Sequence, residues 1–144
     1  MSRVFVSEST GAEVYVFAND HCPPHVHARH RGEGWVARVR FSYLRETVEL
    51  WSIAPTQNVP LRRVINGLLD DVQARLADCR QSWWTTRQTT CLTNQWALVR
   101  PDRRVELCTA RTTGAKQITE ARYEPSSGRL EVRFRERITI EVKS

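Results

Sequence analysis

The sequence predicts an α+β protein, in which an antiparallel sheet packs against one long amphipathic helix and a small β-rich C-terminal segment follows. Two patterns predict this class. Apolar and polar residues alternate in short runs before Pro55, which is the period of half-buried strands. From Pro60 onward the apolar residues recur every three or four positions, which is the period of a helix with one buried face.

The predicted sheet consists of a hairpin and a three-strand meander. The hairpin is predicted by valines at alternate positions around a turn-like run at residues 8–11; they are Val4, Val6, Val14 and Val16. Pro23 and Pro24 then hold the chain extended and exclude a helix, because proline lacks the N–H that a helix interior needs. The alternation resumes in three strands predicted for the meander, at residues 25–31, 35–41 and 46–53.

One long helix is predicted from Asn58 and Pro60 to the tryptophans at 83 and 84. Asparagine can cap a helix, and proline is tolerated in the first turn, where its missing N–H would have no partner within the helix. The buried face is predicted to contain Leu61, Val64, Ile65, Leu68, Leu69, Val72, Leu76, Cys79 and Trp83. Because Trp83 falls in that stripe, we expect it to pack in the core rather than stack on a nucleobase.

The chain is predicted to contain a histidine-motif α+β domain over residues 1–85, a linker over residues 86–94 and a small basic β-rich segment over residues 95–144. The linker is rich in threonine and other polar residues and has no periodicity. In the last segment, strands are predicted at residues 95–100, 105–110, 118–124 and 130–142. We expect one domain with a small appendage, since 144 residues are too few for two large domains.

Composition and charge limit the classes of function. No apolar run approaches the roughly 20 residues of a membrane-spanning helix, and no signal peptide is recognisable, so we expect a cytoplasmic protein without a membrane partner. The four cysteines form no Cys-x-x-Cys pair, which argues against a zinc knuckle. The net charge of +6, with twenty arginines and two lysines, favours a polyanionic partner such as nucleic acid, although the same arginines can form a solvated face.

Strand register decides where the histidines point. All four fall in one ten-residue window, as His21, His25, His27 and His30. A two-residue turn at Gly32 and Glu33 is predicted, because it leaves the apolar residues of both neighbouring strands on one face. His25 and His27 then lie together on the opposite face, and His30 falls on the apolar side, where we expect it to be structural.

The polar face of the meander is the predicted site. In this register His25 pairs with Arg40 and His27 pairs with Arg38. Continuing the alternation through the next loop places Glu49 opposite Arg38. The prediction is therefore a cross-strand row of histidine, arginine and glutamate that faces away from the core.

Two chemistries fit His25 and His27. In the first they bind a metal ion together with Asp20 or His21, since histidines two apart on a strand project from one side and a carboxylate completes an open three-ligand site. In the second they hold phosphate and transfer protons as general acid and base. For each histidine taken singly, the alternative is a structural role with hydrogen bonds to the backbone.

Neighbouring arginines favour the phosphate interpretation. The guanidinium groups of Arg38 and Arg40 would repel a dication, whereas they bind phosphate through bidentate hydrogen bonds. An ion pair with Glu49 would weaken this argument. The resulting assignments are catalytic roles for His25, His27, His21 and Asp20, phosphate contacts for Arg38, Arg40, Arg29, Arg133 and Arg135, and, as the alternative, metal binding by His25, His27 and Asp20.

Residues 19–27, followed by strands and a long helix, resemble a bacterial family known as domain of unknown function 4160. That family's motif, Asn-Asp-His-x-Pro-Pro-His-x-His, is complete here at Asn19, Asp20, His21, Pro23, Pro24, His25 and His27. The resemblance covers roughly residues 1–85. Residues 118–142 are similar to a companion family, domain of unknown function 2442, which often lies beside the first in bacterial genomes.

The resemblance implies a small bacterial protein of the toxin-antitoxin type rather than a particular reaction. Together with the predicted site, it leads to the hypothesis that the protein binds or cleaves RNA, in preference to DNA, through a His/Arg phosphate site, with Asp20 orienting His21. One alternative is a non-catalytic binding or antitoxin module that engages nucleic acid or a small cognate protein from a neighbouring gene. The other is a histidine-based site for a divalent metal. Whether the protein is an enzyme stays open at this point.

Overall fold

The computed structural model describes residues 1–143, and the chain divides into two compact units. The first unit contains residues 1–42 and 46–88, and the second contains residues 43–45 and, among the described residues, 89–143. No helix among the described residues is long and apolar enough to cross a membrane.

The first unit contains a five-stranded antiparallel sheet in which the strands lie side by side in chain order. Its strands are β1 (Ser2–Val6), β2 (Glu13–Val16), β3 (His25–His30), β4 (Trp35–Arg40) and β5 (Glu49–Ala54), and a short 3-10 helix follows at Thr56–Asn58. Val14, Val26, Ala28, Ala37 and Val39 are all inaccessible to solvent. The alternation in the sequence therefore predicts the buried face of β3 and β4 correctly, whereas in β1 it is Phe5 that is buried and Val6 is exposed.

The expectation of one long helix packed on the sheet is wrong. The region forms two short helices, α1 (Arg62–Ala74) and α2 (Leu76–Arg87), which are interrupted at Arg75. Arg75 has φ −110° and ψ 27°, outside helical geometry. The buried residues Val72, Leu76 and Cys79 keep their three- and four-residue spacing across this break. Because periodicity is unchanged there, the sequence pattern does not reveal the interruption.

The predicted fold class is wrong in its balance as well. Residues 1–143 contain ten strands in two antiparallel sheets beside the two short helices, so the protein is mostly β. The second sheet has the strand order β10-β9-β8-β6-β7. These strands are β6 (Trp96–Val99), β7 (Val105–Cys108), β8 (Lys116–Glu124), β9 (Arg129–Phe134) and β10 (Thr139–Lys143).

The strand predicted over residues 130–142 is in fact a hairpin made of β9 and β10. Ile140 pairs with Val132, and Val142 pairs with Leu130. Even-numbered residues of both strands therefore face the same side, and the alternation continues across the turn without a change of phase. This continuity explains why the sequence pattern resembled a single strand.

The β3–β4 register agrees with the prediction. His25 pairs with Arg40 and His27 pairs with Arg38. The turn itself differs, because the positive φ of 69° falls at Gly34 rather than Gly32, and the loop contains four residues instead of two. Both loops give the same pairing, so the burial argument that selected the register did not depend on the turn type.

The β4–β5 register is not as predicted. Arg40, rather than Arg38, pairs with Glu49, and Arg38 pairs with Ser52. The register shifts between Arg38 and Val39, where Trp51 is the extra residue on β5. The difference begins in the loop, which runs over residues 41–48 and so places Glu49 opposite Arg40, and the bulge then adds a further shift of one residue. The predicted row of His27, Arg38 and Glu49 is therefore not formed.

Candidate functional site

The candidate site, called here the Asp–His–His site, consists of Asp20, His25 and His27. Asp20 is held in a turn, because its Oδ2 accepts a hydrogen bond from the backbone N–H of Phe17 at 2.9 Å and its own N–H donates to the Phe17 carbonyl at 3.2 Å. His25 and His27 lie two residues apart on β3 and therefore project from the same side of the sheet. The turn brings the carboxylate over these two side chains.

One carboxylate oxygen lies next to both imidazoles. His27 Nε2 is 2.9 Å from Asp20 Oδ1, and His25 Nε2 is 3.6 Å from the same oxygen. The three potential ligand atoms all lie within 4.8 Å of one another. His25 is 3% exposed and Asp20 is 9% exposed, so the group is removed from bulk water.

The tautomer of His25 follows from its backbone contact. His25 Nδ1 lies 2.9 Å from the carbonyl oxygen of Pro23, and only a protonated nitrogen can donate to that acceptor. Burial lowers the pKa of His25, which favours the neutral ring at neutral pH. In the neutral ring Nε2 therefore carries a lone pair that faces the carboxylate of Asp20. A lone pair of the imidazole and a carboxylate oxygen that face each other are both able to coordinate a cation.

Aromatic rings surround both imidazoles. The ring of His25 lies 5.0 Å from Trp51 and 5.4 Å from Trp83, measured between ring centroids. The ring of His27 lies 4.7 Å from Phe17 and 5.8 Å from Tyr15. These rings exclude water and lower the local dielectric, which strengthens electrostatic interactions inside the site.

Tyr15 and Phe17 are site residues that the sequence reasoning missed. Tyr15 pairs with His27 across β2 and β3. The predicted hairpin ended at Val16, and its pairing was not extended to β3, so the neighbour of His27 on that side was not identified. A prediction of the β2–β3 register would have found Tyr15.

The predicted phosphate-binding arginines of the first unit lie near these rings. The guanidinium carbon of Arg38 is 4.4 Å from the Trp51 centroid and that of Arg40 is 5.5 Å from it. Arg38 Nε donates to Ser52 Oγ at 2.7 Å. Arg29 lies 5.3 Å from the ring centroid of Tyr15. These distances are typical of cation–π contacts.

Three other predicted site residues lie elsewhere. His21 is exposed. His21 was the expected partner of Asp20, but the structure places His25 and His27 next to the Asp20 carboxylate. Arg133 and Arg135 belong to the second unit, where Arg133 forms ion pairs with Glu131 at 2.9 Å and with Glu120 at 3.5 Å.

His30 has structural contacts, as does Trp83. The ring of His30 stacks on Trp35 at 5.4 Å, and its Nδ1 accepts a hydrogen bond from the backbone N–H of Glu33 at 3.0 Å. Trp83 is inaccessible to solvent, as predicted from the helical stripe. Its indole N–H is buried without a hydrogen-bond partner among the described residues.

No protein-family model matches the chain, and neither the curated proteins nor the solved structures contain a match. The resemblance to domain of unknown function 4160 therefore stays a prediction. The geometry of the Asp–His–His site is the basis for the function proposed below.

Proposed function

We propose that the protein binds one divalent transition-metal ion, with zinc as the reference ion, at the Asp–His–His site. The ligand atoms are Asp20 Oδ1, His25 Nε2 and His27 Nε2. Three protein ligands with an open position are typical of catalytic zinc sites, in which the metal lowers the pKa of a bound water to about 7. The proposed activity is therefore metal-dependent hydrolysis.

The observation that carries this proposal is the convergence of His25 Nε2 and His27 Nε2 on one carboxylate oxygen, Asp20 Oδ1, at 3.6 and 2.9 Å. Burial disfavours a proton at Nε2 of His25, as the lowered pKa of His25 indicates. A metal ion supplies the missing positive charge without protonating the ring. The hydrogen bond from Nδ1 to the Pro23 carbonyl is also the outer contact that orients metal-bound histidines in proteins.

The spacing of the ligand atoms suits a metal ion. Tetrahedral zinc with bonds of about 2.0 to 2.1 Å places its ligand atoms roughly 3.3 Å apart. The two distances from Asp20 Oδ1 are 2.9 and 3.6 Å, and they bracket that value. The third separation, between the ligand nitrogens of the two histidines, is at most 4.8 Å, so side-chain rotations would have to bring the three atoms to metal-ligand spacing. The hydrogen bond between His27 and Asp20 would be replaced by two metal–ligand bonds.

The same geometry weighs against phosphate binding by the imidazoles alone. His25 and His27 both direct Nε2 at the carboxylate of Asp20, which would repel a phosphate oxygen. The neutral state of His25 also removes the positive charge that an anion clamp requires. An RNA-binding or toxin-antitoxin role therefore depends, in this proposal, on the metal rather than on protonated histidines.

Zinc titration of metal-free protein by calorimetry tests the proposal. Wild-type protein should bind one zinc per chain, and Asp20→Asn, His25→Gln and His27→Gln should each lower the affinity at least 100-fold, because each removes one of three ligands. His21→Gln is the matched control, since His21 belongs to the same motif but is exposed. Circular dichroism checks that every variant is folded.

Two results would reject the proposal. One is a wild-type protein that binds no zinc, manganese, iron or cobalt. The other is zinc affinity that depends on His21 and not on His27, which would place the metal outside the Asp–His–His site.

A further inference from the structure

We infer that the substrate of the metal site is a phosphate ester whose anionic oxygens are bound by Arg29 and Arg38. This inference rests on the proposed metal site and names the class of molecule that occupies its open position. Its basis is the arrangement of two guanidinium groups around the two imidazoles.

Each imidazole contacts an aromatic ring, and each of these rings has a guanidinium group over it. His25 contacts Trp51, and Arg38 lies over Trp51 at 4.4 Å. His27 stacks on Tyr15. Arg29 lies over Tyr15 at 5.3 Å. Cation–π contacts of this kind orient an arginine and leave the edge of its guanidinium available to an anion.

Neither of these two arginines has a carboxylate partner among the described residues. Arg38 uses Nε to donate to Ser52, a neutral hydroxyl. Arg29 has a buried Nε with no hydrogen-bond partner. Glu13, which pairs with Arg29 across β2 and β3, forms its ion pair with Arg31 instead. The positive charges of Arg29 and Arg38 are therefore not neutralised by a carboxylate among the described residues.

Five exposed arginines of the same chain do have carboxylate partners. Arg100, Arg104, Arg122, Arg129 and Arg133 all form ion pairs with carboxylates. Exposed charges gain little from such pairing, because water screens them. Arg29 and Arg38 are half-buried beside the imidazoles and have no carboxylate partner among the described residues, whereas the neighbouring Arg40 pairs with Glu49 at 3.3 Å. The Nε of Arg29 is a buried donor without a partner among the described residues, and such donors are uncommon unless a ligand uses them.

A phosphate ester matches the charges that converge at the site. A dication and two guanidinium groups together carry more positive charge than the single carboxylate of Asp20 balances. The nonbridging oxygens of a phosphate group are ligands for a metal ion and also acceptors for guanidinium, which binds such oxygens in a bidentate manner. In hydrolysis, a water oxygen would form a new bond to phosphorus, the ester P–O bond would break, and the leaving oxygen would take a proton from that water.

Calorimetry of the zinc-loaded full-length protein with phenylphosphonate, a stable phosphate-ester mimic, tests the inference. Wild-type protein should bind phenylphosphonate more tightly than benzoate, which offers a single carboxylate. Arg29→Gln and Arg38→Gln should each weaken phenylphosphonate binding at least tenfold while zinc affinity stays unchanged. Arg122→Gln is the matched control, because that arginine is exposed and pairs with Glu120.

The outcomes separate this inference from the proposed function. A protein that binds zinc but not phenylphosphonate, or that binds benzoate more tightly, overturns the inference and leaves the metal site standing. Unchanged phenylphosphonate affinity in both arginine variants also overturns it. A protein that takes up no metal overturns both proposals.

A further arm identifies the source of the phosphate ester. A short single-stranded RNA that displaces phenylphosphonate at a lower concentration than a mononucleotide supports a nucleic acid as the substrate. The opposite order supports a small phosphate ester, and both results support phosphate recognition.

Discussion

At the residue scale, the Asp–His–His site shows how a short motif specifies a geometry. His25 and His27 are two residues apart on a strand, so they had to face the same side once the strand was recognised. The contact of Asp20 with both rings depends on the turn between Phe17 and Asp20, whose conformation the sequence alone does not specify. The identity of the site residues was therefore predictable, and the distances between them were not.

Arg80 is a second residue whose role only the structure reveals. Its side chain is 2% exposed, and its Nε and Nη2 donate to the Ser42 carbonyl at 3.0 and 2.8 Å. In the sequence it falls on the helix between Cys79 and Trp83, and nothing distinguishes it from the exposed arginines. It links α2 to the end of the sheet, since Ser42 follows β4.

Arg80→Met should lower the free energy of unfolding by about 1 to 3 kcal/mol, because the Ser42 carbonyl loses two charge-assisted donors. Arg80→Lys should recover only part of this loss, since an ammonium group cannot reproduce the two-donor geometry of a guanidinium. Urea unfolding at neutral pH measures both. An unchanged midpoint in Arg80→Met would contradict the role assigned to this residue.

At the element scale, the connection between β1 and α1 depends on a cluster of hydroxyl groups around Asp71. Ser7 Oγ, Ser9 Oγ and the Ser9 N–H all donate to Asp71 Oδ2. Burial raises the pKa of Asp71, but these hydrogen bonds outweigh that effect and lower its pKa below the ordinary value of 3.8. The ionised carboxylate therefore stabilises the folded state.

This shift gives a stability that depends on pH. Because the folded pKa is the lower one, the stabilisation is present above pH 3.8 and is lost as the pH falls through the folded pKa. Asp71→Asn should lower the free energy of unfolding at pH 7 by about 1 to 2 kcal/mol. Below pH 3.8 the difference between wild type and variant should shrink. Urea titrations across this range measure the effect, and a difference that does not vary with pH would contradict it.

Gly67 in α1 gives a sharper test of the same cluster. A Cβ at this position would lie 2.8 Å from Ser9 Oγ, which donates to Asp71. Gly67→Ala should therefore destabilise the protein, although alanine favours a helix by about 1 kcal/mol over glycine. In a Ser9→Ala background the clash with oxygen is absent, and the same substitution should become neutral or stabilising.

A double-mutant cycle by thermal unfolding measures this reversal. If Gly67→Ala has the same effect in both backgrounds, the close approach of Ser9 to α1 is not present in solution.

The elements also show where sequence patterns lose information. Alternation predicted the buried face of β3 and β4, because both strands are regular over their whole length. It failed at Arg75, where a helix is interrupted without a change of period, and at Trp51, where a bulge shifts the register of β5. At Arg75 the buried residues keep their helical spacing, so the pattern of burial carries no trace of the interruption.

At the scale of the whole molecule, the net charge of +6 comes from an excess of arginines, some of which form ion pairs while others do not. In the C-terminal strands Arg129 pairs with Glu141, and Arg133 pairs with Glu131. Exposed pairs of this type contribute roughly 0 to 1 kcal/mol each. The pairing of these two arginines is what a solvated face would show.

Metal binding should stabilise the whole first unit, because the metal would link the turn at Asp20 to β3. With free zinc at about 100 times its dissociation constant, the expected gain is about 2.7 kcal/mol. Differential scanning calorimetry should show a higher melting temperature for wild type in zinc than in a chelator. Asp20→Asn should show no zinc-dependent shift, and an equal shift in this variant would contradict the link.

The most direct test of the metal site is the position of the ion itself. Crystals grown with zinc should give one strong anomalous difference peak at the zinc absorption edge, within about 2.0 to 2.2 Å of Asp20 Oδ1, His25 Nε2 and His27 Nε2. A peak elsewhere on the chain, or no peak while His27 still donates to Asp20, would contradict the account.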